Sequence, residues 1–358
     1  MLEVADIFRL HGPEYRAKFS ARMLPSHRRA MQDIETCRTE SLGGQVYFCH
    51  QCQAQRYSYH SCKNRHCPKC QNDQANDWLK EQQSLLLPVT HFLVTFTLPA
   101  ELRAIARSNQ KTIYNLLFRA SSAALQQLAQ DPRFVGARLG MVGVLHTWTR
   151  QLLYHPHLHY IVTGGGLSDD GRWRSSRKDF LIHVKPLSRS FRAKFREALK
   201  QTELFAQVPA RVWRKDWVVH SEPVGSGEPA FKYLAPYIFR VAISNNRLLK
   251  LEHGNVTFAY KESATDQLKS AKVTAAEFIR RFLQHVLPPR FIKVRYFGLL
   301  SPRNRQLLQR ARQLLAAATG KVKSEDLKLI EPLAALRCPH CGGSLTLLGP
   351  LAPRGRAP

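Results

Sequence analysis

Hydrophobic positions along this chain fall into short runs and spaced stripes separated by Gly, Pro and Asp. His91-Phe92-Leu93-Val94-Thr95-Phe96-Thr97-Leu98 is a β-branched and aromatic run closed by Pro99, and it predicts a strand. Apolar residues at helical spacing follow, from Ile105 through Tyr114, Leu116, Leu117 and Phe118 to Leu128. Val142-Gly143-Val144-Leu145-His146-Thr147-Trp148 reads as a second strand, able to pair with the apolar run from Tyr154 to Val162. Gly164-Gly165-Gly166 and Asp169-Asp170-Gly171 then predict a loop. After it come a helix around Ser190 to Phe205, a strand at Trp217 to His220 and a flexible Gly225-Ser226-Gly227. This order predicts an α+β domain with a largely antiparallel central sheet over about 91–260. Residues 1–36 are basic and helix-like, 274–318 are helical again but interrupted by Pro288-Pro289, and 350–358 read as a disordered tail. There is no internal repeat.

Charge narrows the partner. Lys and Arg number 54 against 26 Asp and Glu, a net charge of +28 with a sequence pI near 10.2, spread along the chain. Such an excess favours a polyanion, with nucleic acid first and a membrane surface second. No stretch reaches the roughly 18 apolar residues of a membrane span. Met1-Leu2-Glu3-Val4-Ala5-Asp6 lacks the basic lead-in of a signal peptide, so the expectation is a soluble cytoplasmic protein of two or three domains.

The eight cysteines cluster as Cys37, Cys49, Cys52, Cys62, Cys67 and Cys70, then Cys338 and Cys341, which argues for metal rather than disulfides. Cys49-x-x-Cys52 and Cys67-x-x-Cys70, with 14 residues between them, are two knuckles of the kind that supply four thiolates to structural Zn²⁺. Cys37 and Cys62, with His50, His60 and His66 nearby, are either bystanders or part of a second zinc site. Cys338-Pro339-His340-Cys341 is a knuckle without an evident second; it either borrows ligands or is vestigial.

Two further groupings carry chemistry. On a strand, His157 and His159 share a face about 6.6 Å apart along the chain, and can converge on one divalent cation. With Gly164-Gly165-Gly166 following, the cation would sit at the rim of a sheet open to phosphate. His146, on the neighbouring strand, is either a third ligand or a packed core residue. His155 shares the same face but lies about 13 Å from His159 along the strand, so it shapes the entry or touches DNA. Tyr233 and Tyr237, at i and i+4, share one helix face and either form a nucleophilic pair or pack as two aromatics. Pro236 means that the helix begins near it or that Tyr233 lies in the preceding turn. Asn245, Asn246 and Arg247 either line a phosphate site or cap a helix.

Five motifs occur in order: Ser61-Cys62-Lys63-Asn64-Arg65-His66-Cys67-Pro68-Lys69-Cys70-Gln71, His146-Thr147-Trp148, His155-Pro156-His157-Leu158-His159, Tyr233-Leu234-Ala235-x-Tyr237 and Phe282-Leu283-x-His285-Val286-Leu287-Pro288. On these residues the chain, over roughly 27–345, closely resembles the rolling-circle transposases of the insertion-sequence-ninety-one family. These are bacterial members of the HUH endonuclease superfamily with an N-terminal zinc-binding domain.

The resemblance implies an HUH-type central antiparallel sheet flanked by helices, preceded by a small zinc-binding domain and followed by a helical C-terminal region. The corresponding segments are 1–90, 91–260, 261–330 and 331–358. It implies a DNA transposase in which His157 and His159 bind Mg²⁺ or Mn²⁺ and Tyr233 and Tyr237 are the nucleophiles. Single-stranded element ends and target would be the partners, with strands cut through a 5′-phosphotyrosine and rejoined without ATP. The sequence has no G-x-x-x-x-G-K-[ST] loop. A replication initiator or relaxase shares this chemistry, and a non-catalytic zinc-dependent DNA-binding protein is the alternative of a different class.

Overall fold

The computed structural model describes residues 1–70, 85, 87–226, 241–262, 265–319 and 336–354. Its helices are α1 (Val4–Phe19), α2 (Pro25–Thr36), α3 (Arg103–Ser108), α4 (Gln110–Ala129), α5 (Val184–Lys200), α6 (Ala275–Leu283) and α7 (Arg305–Thr319). The strands are β1 (Gly44–Cys49), β2 (Ala54–Tyr59), β3 (Thr90–Thr97), β4 (Arg138–Trp148), β5 (Tyr154–Leu167) and β6 (Trp173–Ser175). They continue with β7 (Val219–Ser226), β8 (Leu248–Glu252), β9 (Asn255–Lys261), β10 (Leu268–Thr274), β11 (Val294–Gly298) and β12 (Leu345–Leu351). The chain forms two compact units, one from Met1–Asp73, Ile243–Val286 and Lys323–Pro358, the other from Gln74–Ala242 and Leu287–Val322.

The second unit is built on a sheet of order β11-β4-β5-β3-β7, antiparallel at every pairing, with β6 added to β5. Alternation along the strands divides its side chains between two cores. Phe92, Val94, Phe96, Met141, Leu145, Leu158, Tyr160 and Val162 face one core. There α4 contributes Ile113, Tyr114, Leu117 and Leu125, and α5 contributes Leu187, Phe191, Phe195 and Leu199 at i, i+4, i+8 and i+12. Leu93, Val142, Val144 and Ile161 face the other core, against Leu308, Ala311 and Leu315 of α7. The sheet is therefore buried on both faces. Its strands read as continuous apolar runs for that reason, not as alternating ones.

In the first unit α1 packs against α2 and α6, with the Phe8 and Phe282 rings edge to face at 5.2 Å. The α6 helix starts at Thr274, whose hydroxyl accepts from the Glu277 N–H at 3.2 Å. It buries Phe278, Ile279, Phe282 and Leu283 on one stripe. A meander β8-β9-β10 lies beneath, and a separate sheet of order β12-β1-β2 joins the last described strand to the first.

The α+β class and the antiparallel sheets are as expected, and strands form at the three expected runs, 91–98, 142–148 and 154–162, although β4 begins four residues earlier and β5 continues through the glycines to Leu167. Three expectations need correction. The region 261–330 is not simply helical: it contains β10 and β11, and β11 closes one edge of the central sheet by pairing with β4. Residues 350 and 351 are not tail, because Pro350 and Leu351 pair with Gln45 and Gly44. Residues 243–260, assigned from sequence to the catalytic segment, join the terminal unit, where β8 and β9 support α6. Among the described residues no helix is long and apolar enough to cross a membrane.

Candidate metal centres

The β4–β5 register sets His146 opposite His157 and Val144 opposite His159, and β3 sets Thr95 opposite His159. Leu158 and Tyr160 turn into the helix-covered core, so His157 and His159 emerge on the face that carries Val144 and Ile161. His146 emerges beside them. One nitrogen from each of His146, His157 and His159 lies within 4.8 Å of the other two, close enough to share one ion. His146 is only 2 % exposed and stacks on Trp148 at 4.8 Å, so it is both a packed residue and a member of the cluster.

Neighbouring groups orient the rings. His157 Nδ1 lies 2.7 Å from the His155 carbonyl, which makes Nδ1 the protonated nitrogen and turns Nε2 to the cluster. His159 Nδ1 lies 2.9 Å from the Thr95 hydroxyl. Burial pushes His157 down to about 4, keeping the imidazole neutral and ready to ligate at neutral pH. His155 is held at about 4 by burial, then by His157 and Arg103; Arg103 Nη2 donates to its Nδ1 at 2.5 Å. His155 is thus engaged by a guanidinium at the edge of the cluster.

Thr95 and Arg103 were not singled out from sequence. Thr95 was visible as a polar residue inside an apolar strand; Arg103 gave no local signal. The glycine run is corrected as well. Gly164, Gly165 and Gly166 lie within β5, about 16 Å or more along the strand from His159. There they permit close backbone approach, since a Cβ on Gly166 would sit 2.3 Å from the Arg138 carbonyl. Tyr233, Pro236 and Tyr237 fall outside the described residues. Asn245 caps a helix: its side-chain oxygen accepts from the Val4 N–H at 3.1 Å.

The cysteines form two sets of four, Cys37, Cys62, Cys67 and Cys70, and Cys49, Cys52, Cys338 and Cys341. The grouping of Cys49 and Cys52 with Cys67 and Cys70 is therefore corrected. The turn between β1 and β2 carries Cys49 and Cys52 to the C-terminal knuckle, which β12 delivers by pairing Leu345 with Cys49. Cys37, at the end of α2, takes their place, with Sγ atoms 3.6 Å apart for Cys37–Cys70 and for Cys62–Cys70. Hydrogen bonds from Cys62 and Cys67 push the Cys37 thiol down, and the same contacts push Cys62 and Cys67 up, so the sulfurs share protons that a bound cation would displace. In the second set the Arg56 guanidinium holds Cys338 down to about 5. Thiolates are the form that binds zinc.

Residues 7–98 match the family model described as "Transposase zinc-binding domain", and residues 140–307 the one described as "Putative transposase". The chain is 43% identical over 335 residues to "Putative transposase y4qJ" of Sinorhizobium fredii (strain NBRC 101917 / NGR234), covering 87% of this chain and 84% of that protein. It is 30% identical over 288 residues to the "Transposase for insertion sequence element IS801" of Pseudomonas savastanoi pv. phaseolicola, covering 75% and 68%. Among solved structures, a conjugative relaxase, TrwC, in complex with mutant OriT DNA aligns with 30% of this chain and 43% of its own, at 20% identity and a TM-score of 0.26. With a relative of this identity matched over most of its length, and a zinc-binding domain model matched at the N-terminus, the chain belongs to the insertion-sequence-ninety-one family of transposases.

Proposed function

We propose that this transposase is a two-tyrosine HUH enzyme that nicks and rejoins single-stranded DNA through a 5′-phosphotyrosine. The observation that carries the reading is the convergence of His146, His157 and His159 on one face of the central sheet. The three imidazoles would hold a divalent cation, Mg²⁺ or Mn²⁺ as the family resemblance implies, with phosphate oxygens completing the hard-ligand share of its shell, and the bound cation would polarise the scissile phosphate. Thr95 and the His155 carbonyl fix the rings. Arg103 adds positive charge at the same edge.

The phenolic oxygen of Tyr233 or Tyr237, assigned from the sequence motif, attacks phosphorus, and the bond to the 3′ oxygen breaks, that oxygen taking a proton from solvent to leave as a hydroxyl. The phenolic proton is lost to solvent or a nearby base. Attack by another 3′-OH reverses the step and rejoins strands without a nucleotide triphosphate. The cysteine set of Cys37, Cys62, Cys67 and Cys70 would hold structural Zn²⁺ in the N-terminal module, and the enzyme would act on DNA in the bacterial cytoplasm.

The test is incubation with single-stranded element ends and Mg²⁺, followed by mass spectrometry of trapped peptides. Wild type should yield a covalent adduct on Tyr233 or Tyr237. His157→Ala should bind DNA but give none, and Tyr233→Phe with Tyr237→Phe should fold, bind and give none. Wild-type adduct yield in the double Phe variant would sink the tyrosine mechanism, and absence of adduct from the wild type would favour a non-catalytic DNA-binding protein.

A further inference from the structure

We propose that Cys49, Cys52, Cys338 and Cys341 hold a second structural zinc that clasps the C-terminal segment onto the N-terminal hairpin. Four observations carry it, none of which depends on the reaction.

The sulfurs have the right separation. Tetrahedral zinc with Zn–S bonds of about 2.3 Å places sulfurs roughly 3.8 Å apart. Cys49–Cys341 is 3.4 Å and Cys52–Cys338 is 3.8 Å, and all four atoms lie within 4.8 Å of one another.

Both turns are shaped as metal knuckles. In the β1–β2 turn, Gln53 sits at φ +49° and its side-chain amide donates to the His50 carbonyl at 2.7 Å, closing the chain around Cys49 and Cys52. The C-terminal turn is closed by Cys338 N–H donating to the Gly343 carbonyl at 2.7 Å. Gly342 sits at φ +75°, a conformation that glycine adopts without strain.

Charge is offset nearby. Four thiolates around Zn²⁺ leave two negative charges, and Arg56 on β2 reaches the sulfurs of both Cys338 and Cys52 at 3.5 Å.

Finally, among the described residues the segment is otherwise held by the β12–β1 ladder and by Arg354, which pairs with the Glu40 carboxylate at 3.0 Å at the surface. Most of β12 is solvent-facing, with Leu347 54% and Leu348 55% exposed, so burial of apolar surface does not fasten it. Cys52 and Cys338 stand 286 positions apart, so an ion shared by them ties the two ends of the sequence to one point.

The measurement is zinc content of the full-length chain after exhaustive dialysis, with Co²⁺ replacement to read thiolate-to-metal charge transfer. Wild type should carry two thiolate-bound equivalents. Cys338→Ser with Cys341→Ser should lose one, Cys49→Ser with Cys52→Ser the same one, and all four together no more than one. Cys62→Ser with Cys70→Ser should lose the other. Cys341→His, which restores a ligand, should keep both, and this variant separates metal binding from general misfolding. Zinc content unchanged by Cys338→Ser with Cys341→Ser would overturn the proposal, as would loss of both equivalents together in every cysteine pair.

Discussion

Thr95 lies in β3 directly opposite His159, and its hydroxyl is the group that fixes that ring. Valine has the same shape without the hydrogen bond, so Thr95→Val should preserve the fold while weakening Mn²⁺ affinity about 10- to 100-fold, measured by calorimetric titration. Unchanged affinity would remove Thr95 from the site. His91, on the same strand, gives a different readout. An ordinary histidine titrates near 6.5, and burial holds His91 at about 4. Between those values the unfolded chain binds a proton that the folded chain refuses, so stability is full above about 6.5 and falls as the pH drops toward 4. The loss is on the order of 3 kcal/mol. His155 and His157 are lowered to about the same value and add their own dependence, so His91→Leu should lessen but not abolish the fall in urea-unfolding free energy between pH 7 and 4.5, whereas parallel slopes in the two proteins would show that His91 does not contribute. His157 and His159 were legible because a period of two is written directly in the sequence. Arg103 was not, because it reaches His155 from a helix 52 positions away.

Elements were legible in proportion to how their burial patterned them. β3, β4 and β5 sit inside the sheet and announce themselves as apolar runs. β11 does not: Val294-Arg295-Tyr296-Phe297-Gly298 is half-buried at every position, with no alternation, and follows Pro288-Pro289 in arginine-rich sequence. Its place at the sheet edge is set by non-local pairing with β4 and by its terminal glycine. Gly298 has φ +59°, and a Cβ there would sit 1.8 Å from the Leu139 carbonyl. Gly298→Ala should therefore displace β11 and cost roughly 2 kcal/mol or more, read as a lower Tm and faster amide exchange in β11. Alanine tolerated with an unchanged Tm would mean that the strand end is not fixed by this contact. β12 was missed for a related reason: Leu345-Thr346-Leu347-Leu348 is a short run broken by Gly349-Pro350, which reads as a turn, and its partner β1 lies at the other end of the chain.

At the scale of the whole molecule, the cysteine spacings identified knuckles but not their partners, because two C-x-x-C turns look alike whichever ion they share. Only the β12–β1 pairing decides it. Net charge works in the opposite sense: it was fully legible, and it is a property of the molecule and not of any site. Basic side chains outnumber acidic ones by 28, so even one-to-one ion pairing would leave that many cations without an acidic partner. Each phosphate they neutralise on single-stranded DNA releases counterions, contributing about −0.7 to the slope of log K against log salt. A footprint of about six phosphates predicts a slope near −4, measured by fluorescence anisotropy with a labelled oligonucleotide. His157→Ala should keep this slope while abolishing cleavage, because the imidazole cluster contributes to the chemistry and the dispersed Lys and Arg to the affinity. A slope near zero would remove electrostatics as the source of binding. A slope that falls with His157→Ala would mean instead that the metal site itself anchors the strand, and that recognition and catalysis share one set of contacts.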